Sequence, residues 1–217
     1  MTIYSLPARI AAVIFDIDST LYTCPAYAEA QTRGQIARLA ERLGKSPEGT
    51  ESLIEGYRAA WSAAHDGKKL SLGNAFVAFG VPIEESVRWR TELINPADYL
   101  TEDAALRAAL AALSGRVPLG VVTNNPVAVG RKTLAALGVE DLFRSVIGLD
   151  TCGVSKPHEA PFREAAAALG AAPSACVAVG DRFDIDIALP LKLGMGGVLV
   201  DGVEDVYGLP ATFAGRW

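Results

Sequence analysis

Short apolar runs that end in polar residues recur along the chain at "IAAVIFD", "VPLGVVTNN", "SVIGL", "CVAVGD" and "GGVLVD". All but the last are followed by a longer segment with helical spacing. Apolar strands separated by helices are the pattern of a parallel sheet covered on both faces, so a doubly wound α/β fold is predicted. In such sheets ligands bind beyond the carboxyl ends of the strands. The polar residues gather at those ends, which puts Asp16, Thr123 and Asp181 on one rim.

Residues 22–96 interrupt this rhythm. "PAYAEAQTRGQIARLAERLG" carries Ile36, Leu39, Ala40 and Leu43 at helical spacing and closes on Gly44 as a cap. The next helix starts with Ser46 as N-cap and Pro47 at its first position, then carries Leu53, Ile54, Tyr57 and Trp61, the last two expected in a core. Two shorter helical pieces, near 71–79 and 83–94, complete the segment. The predicted division is therefore an α/β core from residues 1–21 and 97–217, with residues 22–96 as a small inserted helical domain. Without a Pro-rich tether, the insertion is expected to pack on the core.

Composition excludes several function classes. At 217 residues, 50% hydrophobic and 21% charged, the chain is long and apolar enough to bury a substantial core. A net charge of −5, with no basic run, leaves no electrostatic footprint for a nucleic-acid polymer. No signal-peptide pattern opens the chain and no apolar stretch approaches a membrane span, so a soluble, cytoplasmic protein is expected, as monomer or homodimer. Cys24, Cys152 and Cys176 match neither a disulfide framework nor a zinc spacing, and Cys176 reads as a small core residue.

The chemistry is concentrated at the strand ends. Asp16 and Asp18 in "FDIDSTL" stand two apart and face one pocket if the strand continues past Phe15. Two like charges so close need a cation or a shared proton. "GDRFDID" adds Asp181, Asp184 and Asp186 after another strand, with Gly180 allowing a tight turn. Several hard oxygens with no His or Cys suit Mg²⁺, which takes a few carboxylates plus waters and a phosphate oxygen. Thr123 and Asn124 can donate to an anionic oxygen, and Lys156 in "VSKPH" can aim an ammonium at the same rim. Together these describe a phosphoryl-transfer site. His65 and His158, without partners at metal-ligand spacing, read as surface residues.

These residues fall in the order of four motifs, and the chain resembles the haloacid dehalogenase superfamily of phosphatases over its whole length. Asp16-Ile17-Asp18-Ser19-Thr20-Leu21 matches the first motif, Thr123 the second, Lys156 with Pro157 the third, and Gly180-Asp181 with Asp186 the fourth. Ser19 departs from the glycine common at its position.

The resemblance implies a Rossmann-like core and a helical cap of the first type, formed by residues 22–96. It also implies an aspartyl-phosphate mechanism on a small phosphorylated metabolite. Asp16 would be the nucleophile and Asp18 the acid and base. Mg²⁺ would be held by Asp16, Asp181 and the backbone carbonyl of Asp18. Thr123 and Lys156, with Asn124 nearby, would hold the phosphoryl oxygens, and Asp186 and Asp184 would support the metal.

Retention of Asp18 disfavours dehalogenation. Phosphonate hydrolysis would need a suitably placed cap lysine, and Lys45, Lys68 and Lys69 sit in polar turns. "FDIDSTLY", "KPH" and the cap length lean to nucleoside 5′-monophosphates. Phosphoglycolate and sugar phosphates are close competitors, as is a β-phosphoglucomutase-like phosphomutase. An idle relative that only binds would lack Asp16, Asp18 or Lys156, and all three are present.

Overall fold

A computed structural model describes residues 1–67 and 69–217; Lys68, one of the three lysines weighed above, lies outside the described residues. The chain divides into two compact units, Met1–Pro25 with Asn95–Trp217, and Ala26–Ile94.

The larger unit is built on a sheet. Among the described residues its strands are β1 (Thr2–Ser5), β2 (Ala12–Phe15), β3 (Leu119–Val122), β4 (Phe143–Ile147), β5 (Cys176–Gly180) and β6 (Gly196–Leu199), in the order β1-β6-β5-β2-β3-β4. β2 to β6 are parallel to their neighbours, and only β1 runs antiparallel, against β6. β2, β3 and β5 are buried at every position, as strands between two helical layers must be. From β2 the chain winds outward through β3 and β4, then returns to wind the other way through β5 and β6. With right-handed crossovers this reversal puts helices on both faces and a switch point at the end of β2. The predicted doubly wound fold is present.

β1 was not anticipated. All four of its residues are exposed, so it has no buried face for a hydrophobic pattern to reveal. The C-terminal tail forms two short helices, Val203–Tyr207 and Leu209–Thr212, that pack on the helix Ala104–Ser114. Ile10 N–H then donates to the Arg216 carbonyl at 2.6 Å, fastening the tail beside the start of β2.

The smaller unit contains helices α1 (Pro25–Leu43, its first residue in the larger unit), α2 (Pro47–Ala63), α3 (Leu72–Ala78) and α4 (Ile83–Leu93). Ser46 caps α2 by accepting from Gly49 N–H, with Pro47 at the first position, as its sequence requires. Ile36, Leu39, Ile54, Ala75, Phe76, Val81 and Trp89 form its core. Tyr57 and Trp61 do not join it: Tyr57 is 37% exposed and pairs edge-on with Phe79, while half-buried Trp61 stacks on exposed His65. The buried stripe of α2 is centred on Thr50 and Ile54, which leaves the larger rings on its flank. Lys45 and Lys69 are exposed.

Candidate active site

The site is assembled where β5, β2 and β3 end side by side. Asp16 directly follows β2, Thr123 follows β3, and Asp181 follows β5. Asp16 N–H donates to the Val179 carbonyl and Thr123 N–H to the Ile147 carbonyl, both at 2.9 Å, so the ladders extend to the residues that carry the chemistry.

Three carboxylates converge. Asp16, Asp181 and Asp186 each offer an oxygen within 4.8 Å of the others. Asp186 gets there because the chain after Arg182 makes a single π-helical turn, Phe183–Ile187, a form that recurs at functional sites. Asp186 Oδ2 accepts from the Arg182 N–H at 3.1 Å, folding the carboxylate back over the end of β5. Gly180 provides the room. Its φ is not positive, so the requirement is space and not the tight turn expected from the sequence.

Lys156 is the cation at the centre. Its Nζ donates to Asp16 Oδ1 and to Asp186 Oδ1, each at 2.6 Å, and the side chain is 1% exposed. Burial alone would lower the ammonium's pKa, but the charges of Asp16 and Asp186 more than offset it, and the pKa is raised. One ammonium does not neutralise three clustered acids. Burial, then the charges of Asp16 and Asp186, push the Asp181 carboxyl up to about 7. Burial likewise raises Asp186 despite its lysine partner.

Two oxygens of the cluster are orphaned. Asp16 Oδ2 and Asp181 Oδ1 are buried and make no hydrogen bond, whereas both oxygens of Asp186 are engaged. The Arg182 guanidinium approaches Asp181 only to 3.8 Å. Unsatisfied buried carboxylate oxygens are costly, and a hard divalent cation is the group that this oxygen-only donor set fits.

Asp18 lies outside this cluster. The strand stops at Phe15 and the chain turns, with Thr20 and Leu21 N–H both donating to the Ile17 carbonyl, so the two aspartates of the first motif have different partners. Asp18 accepts from the Tyr22 hydroxyl at 2.5 Å and from Asn125 Nδ2 at 2.9 Å. Asp16, Asp181 and Asp186 are the acids whose oxygens converge. Ser19 adopts φ 61°, the left-handed region that favours glycine. That accounts for the glycine usual at this position.

Asn124 takes hold of Lys156: its Oδ1 accepts from the Lys156 N–H at 2.7 Å and its Nδ2 donates to the Lys156 carbonyl at 3.3 Å. Both ends of its amide engage that backbone. Asp184 is exposed and does not join the cluster. His158 is exposed and caps the helix Glu159–Ala168. Tyr22 and Asn125 were missed. Their only sequence signals are a tyrosine one turn after Asp18 and a second asparagine after Thr123.

A profile described as haloacid dehalogenase-like hydrolase matches residues 10–192. The chain belongs to this family. A phosphoglycolate phosphatase from Pectobacterium atrosepticum is 31% identical to this hydrolase over 189 residues, 82% of this chain and 76% of the relative. A glyceraldehyde 3-phosphate phosphatase from Methanothermobacter thermautotrophicus is 25% identical, over 88% and 86% of the two chains. The solved structure of an HAD phosphatase from Thermococcus onnurineus superposes with a TM-score of 0.64 at 22% identity, covering 95% of this hydrolase and 99% of that chain. This last likeness speaks to the fold.

Proposed function

We propose that this hydrolase is a phosphomonoesterase that works through an aspartyl-phosphate on Asp16. The observation that carries the reading is the state of the Asp16 carboxylate. One oxygen is held by buried Lys156 and the other makes no hydrogen bond, within a three-carboxylate cluster.

In the first step an Asp16 oxygen forms a bond to phosphorus as the ester P–O bond breaks, and Asp18 gives its proton to the departing oxygen. In the second, water forms the new P–O bond, the bond to Asp16 breaks, and Asp18 takes the water's proton. Lys156 and Thr123 face the phosphoryl oxygens, and Asn124 sets the backbone of Lys156. Mg²⁺ would be held by the free oxygens of Asp16 and Asp181 with the backbone carbonyl of Asp18, and would supply positive charge to the transferring group. Asp186, with both oxygens engaged, supports Lys156 and the metal ligands. The helical unit is proposed as a cap of the first type that selects the substrate.

For substrate we propose a small phosphorylated acid or sugar, phosphoglycolate first. The names of the relatives at 31% identity support this order. They lend no support to the nucleoside 5′-monophosphates that "FDIDSTLY" and "KPH" favoured.

The test is phosphate release in Mg²⁺ from phosphoglycolate, sugar phosphates and nucleoside monophosphates. The highest kcat/KM is expected for phosphoglycolate, with no turnover in Asp16→Asn. Full activity in that variant, or in excess chelator, would sink the mechanism. A nucleotide preference of orders of magnitude would overturn the substrate class.

A further inference from the structure

The Asp18 carboxylate is gripped from two sides by neutral donors, one on each oxygen: the Tyr22 hydroxyl on Oδ1 and the Asn125 amide on Oδ2. Tyr22 is 3% exposed and Asn125 is 7% exposed, while Asp18 is half-buried. The donors thus belong to the body of the unit and the acid opens outward from them.

Asn125 is itself anchored at several points. Its N–H donates to Thr123 Oγ1 at 3.1 Å, and its carbonyl accepts from Leu149 N–H at 3.0 Å. Gly148 lies so near that a Cβ there would come within 2.8 Å of that carbonyl oxygen. The same residue therefore ties Asp18 to Thr123.

With a donor on each of its two oxygens, the plane of the carboxylate is fixed. A group that must pass a proton to a leaving oxygen needs that plane set in advance.

We infer that Tyr22 and Asn125 are positioning residues that orient Asp18 for proton transfer to the leaving oxygen. This rests on the phosphatase reading above. The test exploits the leaving group. An alkoxide departs only with a proton, whereas dinitrophenolate departs without one, and kcat/KM covers only the steps through that departure.

Tyr22→Phe and Asn125→Ala, with their folding checked by thermal melts, are assayed on phosphoglycolate and on dinitrophenyl phosphate. Each variant is expected to lose at least about 10-fold more kcat/KM on the alkyl than on the aryl ester, part of the range that general acid catalysis spans. Asn125→Asp, which keeps the shape and removes the donor, should show the same split. Equal losses on both esters, or no loss on either, overturn the inference. A wild-type enzyme that hydrolyses neither ester overturns the phosphatase reading instead, which keeps the two failures apart.

Discussion

Gly180 and Asp186 approach so closely that a Cβ on Gly180 would lie 2.4 Å from Asp186 Cβ and 2.7 Å from its Cγ. No side chain tolerates that distance, and Asp186 is held in place by Lys156 and the Arg182 N–H. Gly180→Ala is expected to displace Asp186 and cost about 1–3 kcal/mol, the range for overpacking a filled site. Urea unfolding measures the loss, and titration calorimetry should show weakened Mg²⁺ binding. Wild-type stability in this variant would contradict the packing.

The crowding of acids sets a pH dependence. With its carboxyl pushed up to about 7, Asp181 keeps a proton below that pH in the metal-free protein. A divalent cation needs the carboxylate, so Mg²⁺ affinity should fall as pH drops through about 7, with proton release on binding at pH about 6. The stability of the metal-free protein runs the other way. Between the ordinary carboxylate range and about 7 the folded state holds a proton that the unfolded chain does not, so metal-free stability declines as pH rises across that window. Calorimetry in buffers of different ionisation enthalpy checks the first expectation, and chelator-treated thermal melts check the second. Affinity that is flat between pH about 6 and 8 would contradict the shift.

Ser19 offers a stabilising change. An L side chain at φ 61° carries a left-handed penalty of about 1–2 kcal/mol, and glycine removes it at an entropic cost of about 0.5–1 kcal/mol. Ser19→Gly should raise stability by up to about 1 kcal/mol, read as a higher denaturation midpoint with unchanged slope. Ser19→Val, branched at Cβ, should lower it. A destabilised glycine variant would mean that the serine side chain makes a contribution larger than the strain.

The strands and the rim residues were legible because each buried strand is an apolar run that stops where its chemistry begins. Asp16, Thr123 and Asp181 stand at those stops, and the fold brings them to neighbouring strand ends. β1 left no trace, since an exposed edge strand needs no apolar face. Tyr57 and Trp61 misled because helical spacing reports that a stripe exists and not where its centre lies. Asn124 and Asn125 were hardest to read: adjacent asparagines after a strand look like a turn, and only the fold sends one amide to Lys156 and the other to Asp18.

The hold of Asn124 on both backbone polar groups of Lys156 imitates a rung of sheet pairing with a side chain in place of a second strand. Residues 124–156 thereby form a closed circuit latched at its neck. Within the circuit lie the helix Val127–Ala136 and β4. The backbone that carries the ammonium is thus addressed from across 32 residues.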